Sequence, residues 1–268
     1  MIQVEHVTKQ FGREFTAVED LSFSIRKGEI VGFVGQNGAG KTTTIKMLTS
    51  VLKPTRGRIT INGYDIQQES LKAKESIAYV ADNPDMFLRL TGMEFIHLMA
   101  DIYHVPAKER TPRIEAMAER FEIREVLNRP MSDYSHGMRQ KMMVCAALIH
   151  NPPVWILDEP MTGLDPKAAF ELKNMMREHA GEGNCVFFST HVLEVAEQLC
   201  DRIIIIRNGR SVFNGTLEEL RAGYPDKSLE SIFLIMNEEL PEDGRELTDP
   251  VEKEEQTGEI DRKKEDAE

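Results

Sequence analysis

Cysteine is scarce in this 268-residue chain: three residues, Cys145, Cys185 and Cys200, widely spaced and with no CxxC pair. Neither a disulfide framework nor a zinc site is expected, and a reducing cytoplasm fits best. Long apolar runs are also missing. The longest, Met142 to Ile149, has eight residues, against roughly 20 for a membrane-spanning helix, so the chain is not expected to cross a bilayer alone. The N-terminus, Met1-Ile-Gln-Val-Glu-His-Val, alternates like a strand, with no basic segment before an apolar one, so no secretory signal is expected. A basic face is lacking too. The net charge is −12, and residues 237–268 hold 14 acidic against five basic residues, a net −9 that leaves −3 for the rest. That excludes the electrostatic footprint of a nucleic-acid binder. The acidic end has few large apolar residues and no periodicity, so it is expected to be disordered, as a solubilising end or a regulatory contact.

What is present is the composition of a soluble globular protein, 41% hydrophobic and 29% charged, long enough for one large α/β domain or two small ones. Val4–Val7, Leu21–Ile25, Ile30–Val34 and Arg58–Ile61 read as strands. Turns are marked at Lys27-Gly28 and, more strongly, at Asn62-Gly63. Thr91-Gly-Met-Glu94 is a capping box, and Phe95, Leu98, Met99 and Ile102 behind it share a helical face. Helical patterning continues to about Arg129. Strands return at Val154–Leu157, Cys185–Phe188 and Ile203–Ile206, Asp165-Pro166 reads as a helix start, and Thr216-Leu-Glu-Glu219 as a second capping box. A helical segment, roughly 83–135, thus interrupts an α/β core whose strands are apolar throughout, as buried parallel strands are.

The segment Gly35-Gln36-Asn37-Gly38-Ala39-Gly40-Lys41-Thr42 matches G-x-x-x-x-G-K-[ST]. It follows an apolar strand and is predicted to open a helix over Thr42–Leu52, the context the motif requires. Its glycines let backbone N–H groups curl around phosphate oxygens, and the helix N-terminus adds a positive dipole end. Lys41 supplies a point charge to the β and γ phosphates, and Thr42 a hydroxyl for Mg²⁺. Thr43 completes the nucleotide-binding run. Further on, the apolar strand Val154–Leu157 ends in Asp158-Glu159. Two acids at the carboxyl end of a parallel strand face the crevice where α/β sheets bind ligands. Asp158 is placed to hold Mg²⁺, Glu159 to polarise a water for attack on the γ-phosphate. Together these elements define a P-loop nucleotidase.

Other segments narrow the family. Tyr134-Ser135-His136-Gly137-Met138-Arg139-Gln140 resembles the Leu-Ser-Gly-Gly-Gln signature of ABC ATPases. Gly163-Leu164-Asp165 resembles their D-loop, Ser189-Thr190-His191 their switch-histidine segment, and Phe11 falls where the family has an aromatic that stacks on adenine. The order is right from about residue 2 to 236, and Ser228-Leu-Glu-Ser-Ile-Phe-Leu resembles the closing helix of exporter-type members. The resemblance implies an α/β P-loop ATPase core (1–82 and 136–236) with an antiparallel β-rich N-terminal part, an inserted helical subdomain (83–135) and an acidic tail (237–268). It implies ATP and Mg²⁺ as ligands, and His191 as a γ-phosphate contact that joins Glu159 in catalysis. Ser135, Gly137 and Asp165 are then contacts to ATP held by a second subunit, in a homo- or heterodimer.

Two departures stand out. His136 and Met138 replace signature residues, which touches the affinity of the contact across the dimer. At the Q-loop, Tyr79-Val80-Ala81-Asp82 ends in a carboxylate where the family has Gln, so Asp82 is a candidate Mg²⁺ ligand or a partner contact. The resemblance further implies a separate transmembrane permease subunit, docked through the helical segment around Asp85-Met86-Phe87-Leu88, and a peripheral place on the inner face of the cell membrane. The pattern around Leu90-Thr-Gly-Met-Glu-Phe resembles members from antibiotic-resistance and sodium-export systems. The alternatives are a soluble ABC ATPase acting on ribosomes or chromosomes, a P-loop GTPase or kinase, and a non-enzymatic ATP switch. The first lacks its usual second ATPase domain or coiled coil. The second lacks Asn-Lys-x-Asp. The third is opposed by the intact Glu159 and His191.

Overall fold

The computed structural model describes residues 1–12 and 14–237; the expected acidic tail lies, except for its first residue, outside the described residues. In chain order the structure forms β1 (Ile2–Phe11), β2 (Phe15–Ile25), β3 (Ile30–Val34), α1 (Lys41–Leu48), β4 (Arg56–Ile61), β5 (Tyr64–Asp65), α2 (Ser70–Glu75) and β6 (Ile77–Val80). There follow α3 (Gly92–Ile102), α4 (Ala107–Arg120), α5 (His136–Leu148), β7 (Val154–Leu157), α6 (Pro166–Gly181), β8 (Cys185–Thr190) and α7 (Leu193–Leu199). β9 (Arg202–Arg207), β10 (Arg210–Gly215), α8 (Leu217–Ala222) and α9 (Leu229–Asn237) complete the described chain.

The strands make two sheets. An antiparallel sheet of order β2-β1-β4-β5 packs beside a six-stranded sheet of order β10-β9-β3-β8-β7-β6, parallel except at its β9–β10 edge. Every residue of β3, β7 and β8 is buried, because helices or the other sheet cover both faces. Ile2, Leu21, Phe33, Ile45 and Phe187 fill the space between the sheets. Phe23, Phe33 and Phe187 stack there with ring centres 5.3 to 6.1 Å apart. A second cluster, containing Phe95, Phe121, Met142 and Trp155, joins the helices α3–α5 to the sheet.

Local signals mostly translate directly. Asn62 and Gly63 both take positive φ, 51° and 88°, in the β4–β5 hairpin, as a type I′ turn requires. Both capping boxes form, and the Asp165 side chain caps α6. Three expectations need correction. The helix after the phosphate loop ends at Leu48, not Leu52: Ser50 is left-handed (φ 56°), and the amides of Val51 and Leu52 turn back to the Lys46 carbonyl. The first strands are longer than their alternation indicates. β1 and β2 run ten and eleven residues, with register shifts that scramble the period-2 pattern. The helical stretch is not continuous to Arg129; α3 and α4 are separate and Arg124–Val126 is a 3₁₀ turn.

Candidate nucleotide site

The phosphate loop is built by close packing. Gly35 and Gly40 leave no room for a side chain, because a Cβ would lie 2.6 Å from the Ile206 carbonyl oxygen and 2.7 Å from that of Ala17. Gly40 also has φ 109°, a conformation open to glycine alone. It caps α1 without a side chain, so the first amides of the helix are left for an incoming anion. A cavity of about 260 Å³ lies over this loop. Gln36, Asn37, Gly38, Gly40, Lys41, Thr42 and Thr43 line it, with Asp82 and Glu159 opposite and Phe15 and Ala17 at one side. Ala39 is buried beneath the loop.

Lys41 is only 6% exposed and turns inward. Its Nζ donates to the carbonyls of Gly35 (2.7 Å) and Gln36 (3.2 Å) and stands 3.3 Å from Glu159 Oε1. The other Glu159 oxygen lies 2.9 Å from Nδ1 of the half-exposed His191. Asp158, next to it at the end of β7, is 1% exposed. Burial pushes its carboxyl above the ordinary range, the hydroxyls of Ser189 and Thr42 pull it down, and the charges of Asp82 and Glu159 push it up again. Its Oδ1 accepts from the Ser189 hydroxyl at 2.6 Å, while Oδ2 is buried without a hydrogen-bond partner.

That free oxygen, the Thr42 hydroxyl and Asp82 on the cavity wall form a hard oxygen set. It suits Mg²⁺, which favours one or two carboxylates together with nucleotide phosphates and water. Among the described residues no group of three or more His, Cys, Asp or Glu could hold a metal by itself. The donor set therefore fits a metal that arrives with its nucleotide.

The remaining expected residues lie elsewhere. Ser135 caps α5, accepting from the Met138 amide at 3.2 Å, and Asp165 caps α6, accepting from the Ala168 amide at 2.8 Å. The Ala168 amide and Lys141 hold the Asp165 carboxyl below its usual range. Gly137 packs so closely that a Cβ would lie 2.8 Å from the Gly163 carbonyl oxygen. Ser135 and Asp165 are exposed, Gly137 is half-buried against Gly163, and none of the three lines the cavity. Phe11 does not line it either. It stacks on Phe15 (centroids 6.4 Å) under the Lys9 ammonium, and Phe15 is the aromatic on the cavity wall. Phe15 and Ser189 are the residues sequence reasoning missed. The signals were an aromatic four residues past Phe11 and a hydroxyl two before His191.

A family described as ABC transporter matches residues 18–162, more than half of the chain. The chain belongs to the ABC transporter ATP-binding protein family. Among its relatives, "ABC transporter ATP-binding protein NatA" of Bacillus subtilis (strain 168) is 36% identical over 81% of this chain and 89% of that protein. "Daunorubicin resistance ATP-binding protein DrrA3" of Streptomyces coeruleorubidus is 34% identical over 82% and 70%. A solved "ATP binding subunit of ABC transporter" superposes with TM-score 0.84 at 33% identity, covering 88% of this chain and 99% of that one. A dimeric cassette in a post-hydrolysis state with ADP and Pi superposes with TM-score 0.75 at 25% identity, covering 81% and 99%. The chain is thus an ATP-binding, ATP-hydrolysing ABC subunit with the P-loop α/β fold. With its relatives named as transporter subunits, the alternative of a soluble ABC ATPase acting on another macromolecule is not retained. No described helix is long and apolar enough to cross a membrane.

Proposed function

We propose that this ABC ATPase binds Mg-ATP in the phosphate-loop cavity and powers efflux through a separate membrane-spanning subunit. The observation that carries the reading is the convergence of Lys41 and His191 on the two oxygens of Glu159, which lines the cavity together with Lys41. An arriving triphosphate takes the Lys41 ammonium from Glu159 and the loop carbonyls, as the stronger anion. Glu159, released on that side and still held by His191, then accepts the proton of the attacking water. His191, held 2.9 Å from the Glu159 carboxylate, contacts the γ-phosphate. Thr42 and Asp158, with Asp82 as a further candidate, would hold Mg²⁺, which would neutralise phosphate charge. Phe15, backed by Phe11, offers a face to adenine.

Ser135, Gly137 and Asp165 serve ATP on a second ATPase subunit, the same chain or a different one. Their absence from the lining of the chain's own cavity supports this, as does the dimeric state of the related cassette. The membrane subunit docks at an apolar cavity of about 270 Å³ between the end of β6 and α3. There Met86 and Phe87 are exposed beside Tyr79, Phe95 and Tyr103, the kind of patch that marks a partner site. The ATPase unit is then residues 1–236, with 83–135 as its helical subdomain, peripheral on the inner face of the cell membrane and without nucleic-acid contacts. Drug export is the cargo class suggested by the name of the daunorubicin-resistance relative.

Glu159→Gln tests the chemistry. It should bind ATP and lose hydrolysis by about 10²–10⁴-fold, the usual weight of general-base catalysis. Phosphate release within a few-fold of wild type would remove Glu159 from the mechanism.

A further inference from the structure

β7 and β8 run parallel with Leu157 paired to Phe188, so the next residues, Asp158 and Ser189, emerge side by side. Ser189 is fully buried. Its hydroxyl donates to Asp158 Oδ1 at 2.6 Å and accepts from the Glu159 backbone N–H at 2.9 Å. A hydroxyl has one proton to give, and here it goes to the metal-side carboxylate while a lone pair holds the backbone of the base. Both ends need holding. Asp158 is buried with one oxygen unpartnered, and Glu159 has φ 47°, a conformation a non-glycine residue keeps only when its surroundings fix it.

We propose that Ser189 is a positioning residue of the ATPase. Its hydroxyl occupies Oδ1 of Asp158, leaving Oδ2 as the oxygen available to Mg²⁺, and it fixes the left-handed turn that delivers the Glu159 carboxylate to Lys41 and His191. One hydroxyl thereby ties the metal ligand to the general base across two strands. Supporting hydrogen bonds of this kind orient ligands that would otherwise rotate. The inference rests on the roles given above to Asp158 and Glu159.

The full chain is tested in two assays. The first measures binding of a fluorescent ADP with and without Mg²⁺, which reads the metal side without hydrolysis. Ser189→Ala should reduce the affinity gained from Mg²⁺ by about 10-fold, the lower end of what mutation of a ligand's supporting partner costs. Mg²⁺-free affinity should stay within about twofold, since Ser189 does not touch the phosphate loop. The second assay is steady-state hydrolysis. Here kcat should fall about tenfold or more, the equivalent of about 1.4 kcal/mol and the scale of one hydrogen bond to a charged group. Ser189→Thr keeps the hydroxyl and should restore most of both. Val186→Ala, in the same strand and equally buried, should lower thermal stability and leave both readouts near wild type. The proposal is overturned if Ser189→Ala keeps the wild-type Mg²⁺ response and kcat, or if Val186→Ala reproduces its changes. If Ser189→Ala does not fold, Ser189→Cys, similar in size and a far weaker donor, is judged by the same outcomes. Should Glu159→Gln hydrolyse like wild type, the base assignment falls, while the Mg²⁺-binding assay still decides Ser189.

Discussion

At the scale of single residues, the site separates groups that chemistry identifies from groups that only packing identifies. Lys41 was legible because a phosphate loop has few other uses, and Asp158 and Glu159 only because their acidic strand end, common by itself, follows such a loop. Phe15 was not. Two phenylalanines flank one hairpin bend, and which of them reaches the cavity depends on the irregular β1–β2 register. The outcome predicts that Phe15→Ala raises the KM for ATP more than Phe11→Ala does, with kcat little changed in either; steady-state kinetics on the two variants checks it. Ser189 was illegible for a different reason. A serine at a strand end reads as solvated, and its burial follows only from the neighbouring strand.

Two histidines supply a pH dependence. Burial lowers the imidazoles of His150 and His179 to about 4. Neither has a hydrogen-bond partner for Nε2. Unfolded histidine titrates near 6.5. Between these values the unfolded chain binds protons that the folded chain refuses, so stability is full above about pH 6.5 and declines as pH falls toward about 4. Urea midpoints measured from pH 7.5 to 4.5 should fall along this window. His179→Phe, which keeps a ring against Trp155, should flatten part of the decline.

At the scale of elements, the sequence was most informative about where helices begin. Thr91 accepts from the Glu94 amide, while the Glu94 carboxylate accepts from the Thr91 amide. Thr91→Ala should cost about 1 kcal/mol, seen as a melting temperature about 2–4 °C lower for a chain of this size. ATPase activity at low temperature should persist. Where helices end was less legible, because the turn after α1 passes through a left-handed serine, Ser50, with no glycine to mark the stop. The packing of Gly163 on the start of α5 makes a stricter prediction. Gly163 has φ 76°, and a Cβ there would lie 2.2 Å from the His136 ring. Gly163→Ala should leave ATP binding near wild type and depress hydrolysis, since it displaces the signature segment and spares the cavity. Adding His136→Gly removes the clash and should recover part of the loss, the remainder being the cost of the left-handed backbone. Hydrolysis rates and nucleotide titrations on the single and double variants report both effects.

At the scale of the whole molecule, one chain holds a cavity over its phosphate loop and, outside that cavity's lining, the residues proposed to complete a cavity on a second subunit. A protein so divided is expected to pair when nucleotide is present. Glu159→Gln, sized with and without Mg-ATP, should shift from monomer to dimer. A mass unchanged by ATP would point to a different chain as its obligatory counterpart. Distance in sequence could not have revealed this division, since Glu159 lies further along the chain than the signature segment and still stands 3.3 Å from Lys41; only the likeness of Ser135 and Gly137 to the family's signature implied contacts across a dimer.

The pairing of Lys41 with Glu159 also bears on how a cycle ends. After cleavage, the ammonium that held the phosphates has a second carboxylate 3.3 Å from its resting place, so the chain carries its own competitor for the departing product. Each turnover is therefore pulled toward its finish by the same residue that began it. Removing that competitor should make the spent nucleotide linger: Glu159→Gln should bind ADP more tightly than wild type and release it more slowly. Stopped-flow displacement of a fluorescent ADP measures that off-rate directly.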